Sequence, residues 1–265
     1  MGHRTIINAA ATILLLLASA ALASAQDFQK SYNLEPGATI SVANVSGDIH
    51  INGYDGSAVT VAGFKEGRDR DQVEVEDLSA AGRVEVRAKY PRYCNCDASV
   101  RFEVRVPRSL NFNFDKISTA SGNVSAEGVT GRIELHTASG DVTLQGVSGQ
   151  VRAASASGSV KVRDAAGSVN ASTASGNVDV ELARLEGAGD MRFTSASGDV
   201  NVRMPSSLDA RVDMSTASGS IETDFPIEVR KDRYSSGYTA HGQLGSGSRL
   251  LKISSASGDV KLKSL

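Results

Sequence analysis

Cys94 and Cys96, the only two cysteines, stand two apart in Tyr93-Cys94-Asn95-Cys96-Asp97. In an oxidising compartment such a pair can close a small strained ring, and strained bridges are the readily reduced ones. The spacing is equally compatible with an intermolecular bridge or with a metal site short of ligands. Carboxylates offer a second chemistry. Asp141, Asp199 and Asp259 each follow a glycine in a recurring turn, where stacked β-repeats can bind calcium. The position runs Asn123, Asp141, Ser159, Asn177, Asp199, Ser220 and Asp259. No two carboxylates are adjacent within the tandem array, whereas a hard cation wants several converging oxygens. Asp179 with Glu181, or Asp199 with Arg203, could face outward together as the groups of a polysaccharide lyase or hydrolase. Charged outward positions are also what any soluble strand displays. His50, His136 and His241 lie on different segments without metal-ligand spacing. The expectation is therefore no catalytic, cofactor-binding or metal-ligating set.

The elements that would carry these residues are written as a repeat. Ser/Thr-Ala-Ser-Gly, then Asp, Asn or Ser, then Val or Ile, occurs seven times, with glycines at Gly122, Gly140, Gly158, Gly176, Gly198, Gly219 and Gly258. An earlier Ser46-Gly47 marks a related turn. The first four repeats are 18 residues apart, with Gly131, Gly149 and Gly167 midway. A fixed period of this kind implies stacked coils.

Aligned coils give columns. Ile117, Leu135, Ala153, Ala171, Phe193, Met214 and Ile253 form an apolar one, and Val124, Val142, Val160, Val178, Val200, Ile221 and Val260 a β-branched one. Alternation sends Leu144, Val162, Val180 and Val202 inward and Thr143, Lys161, Asp179 and Asn201 outward. On the returning half, Val129, Ile133, Val147, Val151, Ala165 and Val169 supply the opposing wall. Thr119, Thr137, Ser155, Thr173, Ser195, Thr216 and Ser255 form a column of hydroxyls alone. Its parity points it inward, where each hydroxyl needs a partner; if the corner resets parity, it becomes an outward array, the arrangement an ice- or crystal-binding face would require. Glycine suits the corner because it adopts positive φ. Ala120, Ala138, Ala156 and Ala174 are expected where only small residues fit between stacked corners.

These patterns predict an all-β, single-domain parallel β-solenoid, or β-helix, with coils of about 18 residues. Its divisions are a signal peptide at 1–25, an N-terminal β region with the first coils at 26–116, and a tandem-repeat solenoid at 117–265 continuous with it. An early coil is expected over 39–52, and further strands at 58–62, 83–89 and 100–106. The repeat loosens at 182–189 and 204–208, and 231–247 interrupts a late coil. That last segment, with Tyr234, Tyr238 and His241, is the candidate partner-contact loop. Its deletion is expected to remove an interaction and spare the fold. Lys261 and Lys263 are expected to protect the final edge strand.

The first 25 residues hold a short apolar run and end in Ala23-Ser24-Ala25, the pattern of a cleaved secretory leader. No later segment is apolar enough to span a membrane as a helix. About 240 residues then remain, ordinary for a solenoid. The formal net charge of −2 and the absence of tryptophan point away from nucleic acid and from stacked aromatic platforms.

The stretch Val100-Arg101-Phe102-Glu103-Val104-Arg105-Val106-Pro107, the first Ser-Gly-Asn-Val turn at Ser121 and the late Gly242-Gln243-Leu244-Gly245-Ser246-Gly247 resemble the bacterial putative adhesin family of exported β-solenoid domains. The resemblance covers 41–265 and implies a noncatalytic envelope or surface protein, periplasmic, surface-exposed or secreted, with a protein or polysaccharide ligand. It carries over no catalytic residue, and it is silent on Cys94 and Cys96.

Overall fold

The structure, a computed structural model, describes residues 26–187, 189–231 and 236–265; the expected leader and Tyr234 lie outside the described residues. Strands begin with β1 (Phe28–Tyr32), β2 (Thr39–Ala43), β3 (Ile49–Tyr54), β4 (Val59–Glu66), β5 (Glu74–Asp77), β6 (Arg83–Lys89) and β7 (Ser99–Pro107). The tandem region holds β8 (Asn111–Ser121), β9 (Val124–Glu127), β10 (Thr130–Ser139), β11 (Val142–Gln145), β12 (Ser148–Ser157), β13 (Val160–Ser175), β14 (Val178–Arg184), β15 (Met191–Ser197) and β16 (Val200–Met204). The chain ends with β17 (Ala210–Ser218), β18 (Ile221–Thr223), β19 (Val229–Lys231), β20 (Tyr238–Leu244), β21 (Leu250–Ser257) and β22 (Val260–Ser264).

These strands build a β-solenoid with two strand-lined faces. On the first face the spatial order is β5, β6, β2, β8, β10, β12, the second half of β13, β15, β21, β17, β20, β19. On the second it is β1, β4, β7, β3, β9, β11, the first half of β13, β14, β16, β22, β18. Neighbouring coils pair in parallel; antiparallel strands flank them at both ends of the first face and at the β1 end of the second, whereas the second face ends on β18, parallel to β22. Between the faces lies the apolar core. Ile117, Leu135, Phe193, Met214, Ile253 and the β-branched column from Val124 to Val260 are buried within it. Period-two alternation is therefore the physical origin of both walls.

The chain is not stacked in sequence order. The last coil, β21–β22, sits between β15–β16 and β17–β18, and the first, β2–β3, sits between β6–β7 and β8–β9. This corrects the expectation that Lys261 and Lys263 guard a final edge. β22 is an internal strand, and its lysines lie 3.7 and 3.5 Å from the Glu222 carboxylate of β18. Antiparallel strands instead flank the coils at both ends of the first face and at the β1 end of the second, covering edges that would otherwise invite pairing with another chain.

At the main corner the glycines stack in the order 47, 122, 140, 158, 176, 198, 258, 219. A Cβ on each from Gly122 onward would run into the carbonyl oxygen of the glycine before it. All eight have positive φ, from +109° at Gly47 to +158° at Gly258. The alanines expected to fit this tight corner, Ala120, Ala138, Ala156 and Ala174, are instead exposed. Close approach falls on the glycines alone, and the alanines form an outer stripe.

Candidate functional site

The hydroxyl column faces inward. Thr137 Oγ1 donates to Gly122 O at 2.8 Å, Ser155 Oγ to Gly140 O at 2.8 Å and Thr173 Oγ1 to Gly158 O at 2.7 Å. Ser195, Ser255 and Thr216 continue the ladder onto Gly176, Gly198 and Gly258. The residue after each glycine forms a second ladder, its side-chain oxygen accepting the amide of its counterpart in the next coil. Asn123 Oδ1 takes Asp141 N at 2.9 Å, and Asp141 Oδ1 takes Ser159 N at 2.7 Å. Asp199 Oδ1 takes Asp259 N at 2.8 Å. The repeat's polar groups thus satisfy the backbone of neighbouring coils, as buried or half-buried polar groups must.

Spatial order changes one sequence argument. Asp199 and Asp259, distant in the chain, become neighbours because the last coil, which carries Asp259, is inserted between the coils of Asp199 and Ser220. Asp259 Oδ1 also accepts from Ser220 N and Oγ, and these bonds hold its carboxyl below the usual range. Among the described residues no group of three or more His, Cys, Asp or Glu is placed to hold a metal ion. Asp179 and Glu181 do lie along one outer strand, but each meets the next coil: Asn201 Nδ2 donates to Asp179 at 2.8 Å and Arg203 lies 3.4 Å from Glu181. Asp199, held by the turn ladder, is not paired with Arg203.

Cys94 and Cys96 lie in the loop between β6 and β7 with Cα atoms 5.1 Å apart, a separation that a disulfide spans. Arg68 pins this loop to the one after β4 through Asp97 at 2.7 Å, and that bond holds the Asp97 carboxyl below its ordinary value. Tyr93 is fully exposed at the tip.

Tyr238 and His241 are not in a protruding loop. Both lie on β20, which runs antiparallel along β17. Tyr238 packs against the core, whereas His241 is exposed with Nδ1 3.3 Å from Asp213 Oδ1. Residues three apart on a strand point to opposite faces, so the two do not share a surface. Removing 231–247 would also uncover β17, contrary to the expectation that the fold would be untouched.

Sequence reasoning missed a convergence of the three irregular segments. Asp209 accepts from Ser246 Oγ at 2.8 Å and Gly247 N at 2.7 Å, which lowers its carboxyl. Arg249 Nη2 donates to Gly187 O at 2.7 Å, and Leu250 N donates to Asp190 Oδ1 at 2.8 Å. The remaining Arg249 nitrogens are shielded from solvent. The pocket of about 460 Å³ beside them is thus built on strapping contacts between loops. Its only sequence signal was that each segment breaks the repeat.

The first face carries a different arrangement. Arg152, Asn170, Arg192 and Lys252 occupy one outward column in consecutive coils, beside a column of Ala154, Ser172, Thr194 and Ser254. A shallow groove of about 320 Å³ runs between Arg152 and Arg192 over Ala154 and Ser172.

Three solved structures are similar over 90% of this chain. They are described as a "putative cell adhesion protein" from Clostridium sporogenes (11% identity, 99% of that chain, TM-score 0.37), a "putative adhesin" from Bacteroides fragilis (14%, 96%, 0.39) and a "putative adhesin" from Parabacteroides distasonis (11%, 96%, 0.33). No curated protein matches the chain. The match of residues 30–263, nearly all of the described solenoid, to Toastrack DUF4097 shows that the chain belongs to that family.

Proposed function

We propose that this is a noncatalytic exported protein of the envelope or cell surface that acts by adhesin-like binding along the outer faces of its solenoid. One observation carries the reading. The residues repeated most faithfully, hydroxyls and turn Asp, Asn and Ser, are hydrogen-bonded to neighbouring coils, so the surface left to a partner is the long outer strand faces. Stacked repeats commonly bind through such extended surfaces. The leader expected at 1–25 supports an extracytoplasmic location.

Protease shaving of intact cells, combined with binding of the purified exported chain to envelope material, tests the proposal. Saturable binding without turnover of polysaccharide is the expected result. Clear turnover, or no saturable binding, overturns it. Cleavage on intact cells assigns the protein to the exterior, and protection assigns it to the periplasm.

A further inference from the structure

We infer that the first face binds a linear acidic polysaccharide, laid along the solenoid axis with its carboxylates on Arg152, Arg192 and Lys252. This rests on the binding reading above and adds the face and the ligand class. The column is bounded by Glu134 at one end and Asp213 at the other, with no acid between them. Arg152 lies 3.9 Å from Glu134 and remains exposed. No described carboxylate is ion-paired with Arg192 or Lys252. Asn170 sits between the arginines, its Oδ1 accepting the Arg192 amide at 3.1 Å, which leaves its NH₂ to donate.

The geometry selects a one-dimensional anion. Successive coils repeat at about 4.8 Å, so Arg152 and Arg192 are separated by about 10 Å along the axis. Their guanidinium forks match carboxylates in a bidentate way. Beside the cations the surface is low: Ala154, Ser172, Thr194 and Ser254 and then an exposed alanine stripe, on which sugar rings can lie and hydroxyls can bond. This column has no large apolar side chain to enter a bilayer and no aromatic to stack a base. A membrane and a nucleic acid fit it less well than a glycan.

The test is calorimetric titration of the exported chain with polyuronate oligomers from alginate, against neutral dextran and phosphatidylglycerol vesicles. R152E/R192E/K252E is compared with K161E/R163E on the opposite face, and circular dichroism monitors the fold of both. Saturable polyuronate binding is expected, weakened about tenfold or more by the triple variant and by raising salt from about 50 to about 200 mM. K161E/R163E is expected to bind as the parent does. Undiminished binding by the folded triple variant, equal binding of dextran, or equal binding of the vesicles overturns the inference. Binding to envelope material without polyuronate binding removes the inference but leaves the function proposed above; no saturable binding to anything removes both.

Discussion

Gly198→Ala tests the corner ladder most directly. Gly198 has φ of +146°, a region almost reserved for glycine, and forcing another residue into it costs about 1–3 kcal/mol. The added Cβ would also collide with Gly176 O. Relief requires separating the coils of Gly176 and Gly198, held there by Gly176 N to Ser197 O at 3.0 Å and Ser195 Oγ to Gly176 O at 2.9 Å. Overpacking of this kind adds about 1–3 kcal/mol, for a total of about 2–6 kcal/mol. Gly82→Ala is the matched control: φ is +73° and nothing lies within 4 Å of the added Cβ, so only the left-handed strain of about 1 kcal/mol remains. Urea unfolding gives the global difference. Native-state hydrogen exchange locates it, because coils of a repeat protein can open separately. Lost protection should centre on the second half of β13 and on β15, which meet at that corner. If the two variants are equally stable within about 0.5 kcal/mol, the close-approach argument is wrong.

Three further outcomes follow from the structure. Ending the chain after Gly247 removes β21 and β22 from inside the stack, so limited proteolysis should digest 210–247, which has lost the coil it packs on, whereas a stable fragment retaining β17 would contradict the order. Burial raises the Asp77 carboxyl, but bonds from Lys30 and Ser79 outweigh it and bring it to about 2. A depressed carboxyl adds stability above its unfolded value near 4, lost as pH falls through about 2, so Asp77→Asn should flatten the acid limb of a urea-stability profile, and an unchanged limb would count against it. Cys94 and Cys96 should alkylate in the protein purified without reductant only after reduction; immediate alkylation of both would show free thiols.

The N-terminal strands and the late hairpin divide what was legible from what was not. Alternation placed β6 and β7 almost to the residue, because strand periodicity is local. Parity also placed Thr137 and its column inward, and the structure supplied the acceptor, the glycine carbonyl of the adjacent coil. The sequence read 231–247 as an interruption because Gly242, Gly245 and Gly247 look like a loop. Its actual role depends on β17 offering a free edge to β20, a fact of tertiary position. The basic column on the first face was hidden for a similar reason. Arg192 and Lys252 are 60 residues apart in the chain and lie side by side only because β21 packs on β15.

The sequence by itself determined the coil: two strands, an apolar interior, a hydroxyl ladder and a glycine corner, all set by positions within about 18 residues of one another. It did not determine the order of the coils. Each repeat presents nearly the same hydrogen-bonding edge and the same glycine corner, so the ladder accepts one coil on another almost interchangeably. Tertiary structure made the choice, placing β21–β22 inside the stack and closing the end with β20 and β19. That choice sets Asp199 beside Asp259 and Arg192 beside Lys252.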